Sequence, residues 1–332
     1  MQSTENEIIK LAQCIDSGER RSLAKAITLI ESERPEDRAM ADELLRDLAN
    51  RTQKPSIRIA ISGPPGVGKS SFIEELGKRL TKANKKVAIL AVDPSSPISG
   101  GSILGDRTRM PELSANNNAF IRPSPTRGHL GGVARRTRES ITLCEAAGYE
   151  WIIVETVGVG QSEIIAWSMV DIFITLQLPN SGDELQGIKR GILELSDLVV
   201  ITKADGDSLT SAKTSQVQLK SALPLLAHGE RGIPEVLLCS SKERTGFEEI
   251  EKTIGLLHDS RLDTGLLDKQ RENQTRHWFE EELNASIMSI HLADQHFQKK
   301  VEDLKKSALT NPRLTGVLAR EAAKQALNHG HA

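Results

Sequence analysis

Aromatic side chains are scarce: one tyrosine, three tryptophans and six phenylalanines make up 3% of 332 residues, so the core is expected to be aliphatic. Cysteine is scarcer than the usual disulfide scaffold requires. Cys14, Cys144 and Cys239 are isolated, odd in number and not spaced as metal ligands. They read as reduced thiols of a cytoplasmic protein. Neither sign of charge is in excess, since 43 basic and 45 acidic residues give a formal net charge of −2. That balance offers no general surface for nucleic acid or membrane. No apolar run reaches the roughly 18 residues of a membrane span, and no charged-then-apolar leader opens the sequence. A soluble, cytoplasmic protein is the expectation. Internal repeats and low-complexity segments are absent as well.

What the chain does have is a succession of short Val/Ile/Leu runs at 57–62, 87–92, 119–122, 151–157, 171–178, 198–202 and 236–240, with helical segments between them. Near-continuous apolar runs suit parallel strands covered on both faces, and their alternation with helices predicts a doubly wound, mostly parallel α/β sheet. Ligands of such sheets collect beyond the C-terminal ends of the strands. Residues 1–54 read as a helical N-terminal extension, 55–258 as the sheet domain and 259–332 as a C-terminal helical segment. In that last segment Phe279, Leu283, Ile287 and Ile290 recur at helical spacing, which fits internal packing and a partner surface equally well.

The loop after the first run reads Gly63-Pro64-Pro65-Gly66-Val67-Gly68-Lys69-Ser70-Ser71 and fits G-x-x-x-x-G-K-[ST]. A β-branched run precedes it and a run of helix formers follows, the context in which this motif cradles phosphates. Glycines let backbone N–H groups converge on phosphate oxygens, and the following helix offers its positive end. Lys69 is placed to reach the β- and γ-phosphates, and the Ser70 hydroxyl to ligate Mg²⁺.

Three further strand ends carry chemistry. Glu155-Thr156-Val157-Gly158 resembles the D-x-x-G switch of nucleoside triphosphatases with Glu in place of Asp. The carboxylate suits a Mg²⁺-bound water and the Gly158 N–H suits the γ-phosphate. Val159 stands where Ras-like switches carry the glutamine that orients water, and Gln161 is a weaker substitute two positions on. Slow hydrolysis in isolation is therefore expected, with a partner or a second copy of the chain completing the site. Asp93 and Asp106 lie in the long polar loop after the second run, where direct or second-sphere Mg²⁺ ligation and simple turn-capping both fit. Thr202-Lys203-Ala204-Asp205 matches [NT]-K-x-D, whose aspartate accepts from guanine N1–H and the exocyclic amine while the lysine stem lies on the base. Ser240-Ser241-Lys242 ends the last run, where a backbone N–H suits guanine O6. Each tetrapeptide is weak alone. In this order, each at a strand end, they predict a GTP/GDP site.

These residues bring a family into view. "AVDPSSPISGGSILGDRTRM", "GHLGGVA", "VETVGVGQSE" and "GDELQGIKRGI" closely resemble the methylmalonyl-CoA mutase-associated GTPases of the MeaB/ArgK type, densely over residues 18–205. The resemblance implies a homodimeric P-loop GTPase that chaperones an adenosylcobalamin-dependent acyl-CoA mutase, gating cofactor delivery and helping to protect or reactivate it. It implies that Ser70, Asp93, Asp106 and Glu155 serve magnesium and the switches and that Asp205 reads guanine; with the loop readings above, the candidate catalytic residues are Lys69, Glu155, Asp93 and, weakly, Gln161. It makes residues 182–192 a third switch loop, with Gln186 and Lys189 facing the mutase, although a solvated helix face fits those two equally well. Thr202 departs from the family's usual asparagine: it keeps a hydroxyl but loses the amide that braces the phosphate loop, so affinity is expected to differ while guanine choice is not. Thr126-Arg127 replaces small serines in a loop suited to a partner. A metallochaperone GTPase for another metalloenzyme and a nucleotide-dependent kinase are the alternatives.

Overall fold

Valine, isoleucine and leucine occupy both faces of the strands, so each strand requires a cover on each side. The computed structural model describes residues 2–51, 54–92, 110–122, 130–156, 161–179, 190–226, 231–293, 295–310 and 314–328. Its seven strands are β1 (Ile57–Ser62), β2 (Val87–Val92), β3 (Ala119–Arg122), β4 (Trp151–Thr156), β5 (Ile172–Gln177), β6 (Leu198–Ile201) and β7 (Glu235–Leu238). They form one sheet in the order β3-β2-β4-β1-β5-β6-β7, with every neighbouring pair parallel. All seven apolar runs became strands, and the doubly wound α/β architecture is as expected.

The helices are α1 (Gln2–Asp16), α2 (Arg20–Glu31), α3 (Pro35–Ala49), α4 (Lys69–Lys82), α5 (Pro111–Ser114), α6 (Leu130–Ala146) and α7 (Gln161–Trp167). After them come α8 (Arg190–Leu195), α9 (Leu209–Ala222), α10 (Phe247–Asp263), α11 (Leu266–Ala293), α12 (Gln295–Thr310) and α13 (Thr315–Asn328). α3 opens with Pro35 at its first position and Glu36 and Asp37 in its first turn, which suits proline's fixed φ and the positive helix end. One sheet face packs Ala60, Phe120, Ile152, Val154 and Phe173 with α6 and with Ile15, Leu23, Ile27 and Leu44 of the three N-terminal helices. The helices before residue 55 thus share the core of the sheet. On the opposite face Ile59, Ile61, Ile153 and Ile174 meet Phe72, Ile73 and Leu76 of α4 and Phe247 and Ile250 of α10. The rings of Phe72 and Phe247 lie 5.3 Å apart at 39°, within the range of favourable aromatic pairs.

Two compact units divide the chain, Met1–Arg271 and Glu272–Ala332. α11 starts in the first and continues into the second. Within the second unit α12 and α13 pack together, and Phe279, Leu283, Ile287 and Ile290 of α11 are exposed. No helix among the described residues is long and apolar enough to cross a membrane.

The strand-starting edge of the sheet, away from the predicted loops, holds a buried charge cluster that no local sequence pattern announces. Asp171 precedes β5 and Asp197 precedes β6, and both side chains are fully buried. Asp171 accepts from the Arg58 backbone N–H at 2.8 Å and from the Arg271 guanidinium at 2.8 and 2.7 Å. Asp197 accepts from the Phe173 N–H at 2.7 Å, from Arg231 at 3.1 Å and from Arg261 through a short contact. Arg58 pairs with Glu145 of α6 through two nitrogens, at 2.7 and 2.9 Å. Backbone donors and planar guanidiniums together satisfy these carboxylates, as buried ions require.

β7 ends the sheet, and its outward carbonyls are covered. Gln216 of α9 donates its amide to the Val236 carbonyl at 2.7 Å. Gly246 presses against the Leu238 carbonyl so closely that a Cβ there would lie 2.0 Å from the oxygen, and its φ of +83° also favours glycine.

Removing one partner from a buried ion pair costs about 3–5 kcal/mol, because the other charge is left unpaired. Asp171→Ala, which strands the Arg271 guanidinium and the Arg58 N–H, is expected to lower unfolding stability by that amount in urea titrations. A loss below about 1 kcal/mol would show that the cluster does not hold the fold.

Candidate nucleotide site

β1 delivers the chain into the glycine loop at the centre of the sheet, between β4 and β5. The loop is held down from below. Val67 is fully buried, and Gly63 lies so close to β5 that a Cβ would meet the Leu176 carbonyl at 2.6 Å. α4 begins at Lys69 after Gly68, with no side chain capping its start. Its first N–H groups therefore have no intrahelical acceptor, and the positive helix end faces the loop. The Lys69 ammonium turns back over the loop, donating to the Gly63 carbonyl at 2.7 Å and the Pro64 carbonyl at 3.2 Å. A cation and a row of N–H donors thus share one concavity.

β4 runs beside β1, with Glu155 in register with Ile61. This brings the Ser70 hydroxyl to 3.2 Å from a Glu155 carboxylate oxygen, to which it donates. Two hard oxygen ligands at this spacing fit a divalent magnesium. Asp93, Asp106, Gly158, Gln186 and Lys189 lie outside the described residues. Gln161 is the first residue of α7, and only its backbone is described.

The loop after β6 is fastened to the glycine loop by two adjacent residues. Thr202 is buried and donates its hydroxyl to the Val67 carbonyl at 2.7 Å, with the Gln177 carbonyl at 3.2 Å as a second acceptor. Lys203 donates to the Gly66 carbonyl at 2.8 Å. Its backbone sits at φ +54°, a left-handed conformation uncommon for residues other than glycine and frequent at functional sites. Threonine lacks the asparagine amide but keeps a hydroxyl, and in the structure that hydroxyl braces the phosphate loop at the carbonyl of the buried Val67.

Asp205 is tied to the neighbouring loop. The Ser240 hydroxyl donates to its carboxylate through a short hydrogen bond and accepts from the Glu243 N–H at 3.0 Å. The Ala204 N–H donates to the Cys239 carbonyl at 3.0 Å, closing the two loops on each other. Burial pushes the Cys239 thiol up to about 12, so it stays neutral. The Ser240 N–H is used by the Thr245 carbonyl at 3.1 Å, which leaves a guanine O6 contact to Ser241 or Lys242 rather than Ser240. Sequence reasoning missed the Ser240 hydroxyl as an aspartate positioner, although serine at this strand end was its one available signal. Pro65, Gly66, Ser71, Lys203 and Lys242 are solvent-exposed around these contacts.

The family described as "Methylmalonyl Co-A mutase-associated GTPase MeaB" matches residues 23–296. The chain belongs to this family. It is accordingly a GTP hydrolase with a P-loop fold. It is 44% identical over 283 residues to "GTPase ArgK" of Escherichia coli (strain K12), covering 85% of each chain. It is 49% identical over 271 residues to "Methylmalonic aciduria type A homolog, mitochondrial" of Mus musculus, covering 79% of this chain and 65% of that longer protein. A solved structure titled "Crystal structure of LAO/AO transport system kinase" superposes with a TM-score of 0.75 at 34% identity, covering 96% of both chains.

Thr202→Val keeps the shape and removes the donor to Val67, leaving a buried carbonyl unsatisfied, a loss of about 1–3 kcal/mol. GDP affinity measured by calorimetry is expected to fall about tenfold or more, with the preference over ADP intact, and Thr202→Asn should restore it. Unchanged affinity in Thr202→Val would remove the brace from the site.

Proposed function

We propose that this chain is a GTPase chaperone of an adenosylcobalamin-dependent acyl-CoA mutase, coupling GTP binding and hydrolysis to loading, protection or reactivation of the mutase. The observation that carries the nucleotide half is the fastening of the base-side loop onto the phosphate loop, Thr202 to Val67 and Lys203 to Gly66. Family membership over residues 23–296 supports the client.

In this reading the N–H groups at the start of α4 hold the phosphates, and Lys69 moves its ammonium from the loop carbonyls to the β- and γ-oxygens. Ser70 and Glu155, together with Asp93 and Asp106, hold Mg²⁺, which neutralises charge on the phosphate oxygens when bound. Asp205, held by Ser240, accepts from the N1–H and exocyclic amine of guanine, and the Lys203 stem covers the base. Lys69, Glu155 and Asp93 carry hydrolysis, with Gln161 as a poor water-orienting group. Gln186 and Lys189 report nucleotide state to the mutase. A second copy of the chain covers the exposed stripe of Phe279, Leu283, Ile287 and Ile290, forming a homodimer.

Base reading is tested by exchanging acceptor for donor. Asp205→Asn places an amide donor against the guanine donors and suits the carbonyl of xanthine. The variant is expected to bind GTP about a hundredfold or more weakly while gaining affinity for XTP, since two polar groups are left unpaired. Retained preference for GTP in competition binding would remove Asp205 from the base site.

The client is tested by turnover. The purified chain should hydrolyse GTP slowly, and a cobalamin-dependent acyl-CoA mutase from the same cell should accelerate it and bind with nucleotide-dependent affinity. Linkage then requires the mutase to change GTP or GDP affinity by the same factor. No mutase binding in any nucleotide state would end the client assignment and leave the GTPase standing.

A further inference from the structure

Within the buried charge cluster at the strand-starting edge, the carboxylates of Asp171 and Asp197 are met by three guanidiniums, those of Arg231, Arg261 and Arg271, beside the Arg58–Glu145 pair. The three arginines do not hold equivalent places. Arg271 is bound to both oxygens of Asp171 and also donates to the Ser56 carbonyl at 2.9 Å, at the root of α11. Beside it Gln270 donates to the Val170 carbonyl at 2.7 Å. Arg261 bridges the two carboxylate positions, donating to the Asp171 carbonyl and to the Asp197 side chain. Arg231 is the surplus cation: without it Asp197 still accepts from Arg261 and the Phe173 N–H. Burial is the largest influence on both Arg231 and Arg271 and works against their charge; the balance is downward for Arg231, whereas the hydrogen bond and charge of Asp171 turn it upward for Arg271.

The other side of Arg231 faces α7. Its guanidinium carbon lies 4.9 Å from the centre of the Trp167 ring, a cation–π distance. Trp167 is the last residue of the helix that follows the Glu155 loop. Among the described residues its buried indole N–H has no acceptor, and the ring meets the Arg231 guanidinium through its face. One side chain therefore touches both the helix leaving the switch and the carboxylate cluster that anchors α11. It can leave that cluster without orphaning a carboxylate.

We propose that Arg231 couples nucleotide state to the root of the C-terminal helix, moving with Trp167 when α7 shifts and so loosening or tightening Asp197, Arg261, Asp171 and Arg271 in turn. This rests on the GTPase reading above, and Arg231 acts as a positioning residue far from the reacting atoms.

Hydrogen exchange of the full-length chain, with GDP or a non-hydrolysable GTP analogue bound, provides the test. In the unmodified protein, amide protection over residues 264–271 is expected to differ between the two states by about fivefold or more, the lower range of allosteric coupling. Arg231→Met, which keeps the aliphatic stem, and Trp167→Leu should each reduce that ratio to near one while leaving both nucleotide affinities within about twofold. Trp167→Phe, which keeps an aromatic face, should preserve it. Because the Trp167 variants test the same contact from the other side, a poorly folding Arg231→Met leaves the decision to them. A full nucleotide-dependent difference in Trp167→Leu or Arg231→Met overturns the proposal. So does nucleotide binding with no difference in the unmodified protein, a result that leaves the GTPase reading intact. Failure to bind either nucleotide overturns both.

Discussion

Seven strands pointing the same way leave no room for their connections except across the two faces, and they put every strand end of one kind on one edge. This single constraint decides where polar chemistry can collect. Apolar cover from α4 and α10 on one face and from α6 and the N-terminal helices on the other holds the strands in register. The C-terminal ends of β1, β4, β6 and β7 are then brought to one edge. Ser70 meets Glu155, Thr202 and Lys203 meet the glycine loop, and Asp205 meets Ser240 because the strands beneath them cannot slide. The opposite edge collects the strand-starting carboxylates for the same reason.

The elements most legible in the sequence are those whose signal is local. β1 announces itself by a β-branched run, and the glycine loop by its spelling and its neighbours. Glu155 and Asp205 are each readable as polar residues ending buried strands. What stayed hidden depends on distance along the chain. The pairing of Arg271 with Asp171 spans a hundred positions, and nothing near either residue marks it as buried and paired. Thr202 is a subtler case. The sequence shows that a hydroxyl is available, and only the packed structure shows that the carbonyl of the buried Val67 is its acceptor. Ser240 was read through its backbone, yet its hydroxyl makes the contact with Asp205.

The N-terminal helices illustrate how an element can be legible while its role is not. Their amphipathic pattern is evident, but only the packed structure shows that Ile15, Leu23 and Ile27 fill the same core as Ile152 and Phe173. Polar contacts fix the fit: Glu31 holds Arg122 at the end of β3, and Glu33 pairs with Arg136 of α6 at 2.9 Å. These helices are therefore part of the scaffold that keeps β3 and α6 in place.

The edge at β7 has a consequence for how this molecule meets others. A free parallel edge offers a ladder of carbonyls and N–H groups onto which a foreign strand can be added. Here the Gln216 amide occupies the Val236 carbonyl, and Gly246 lies flush against the Leu238 carbonyl. Strand addition at β7 would have to displace a side chain and move a backbone segment before gaining its first hydrogen bond. Recognition through this border is thus discouraged by construction, which steers association toward side-chain surfaces and away from the indiscriminate backbone pairing that leads to aggregates.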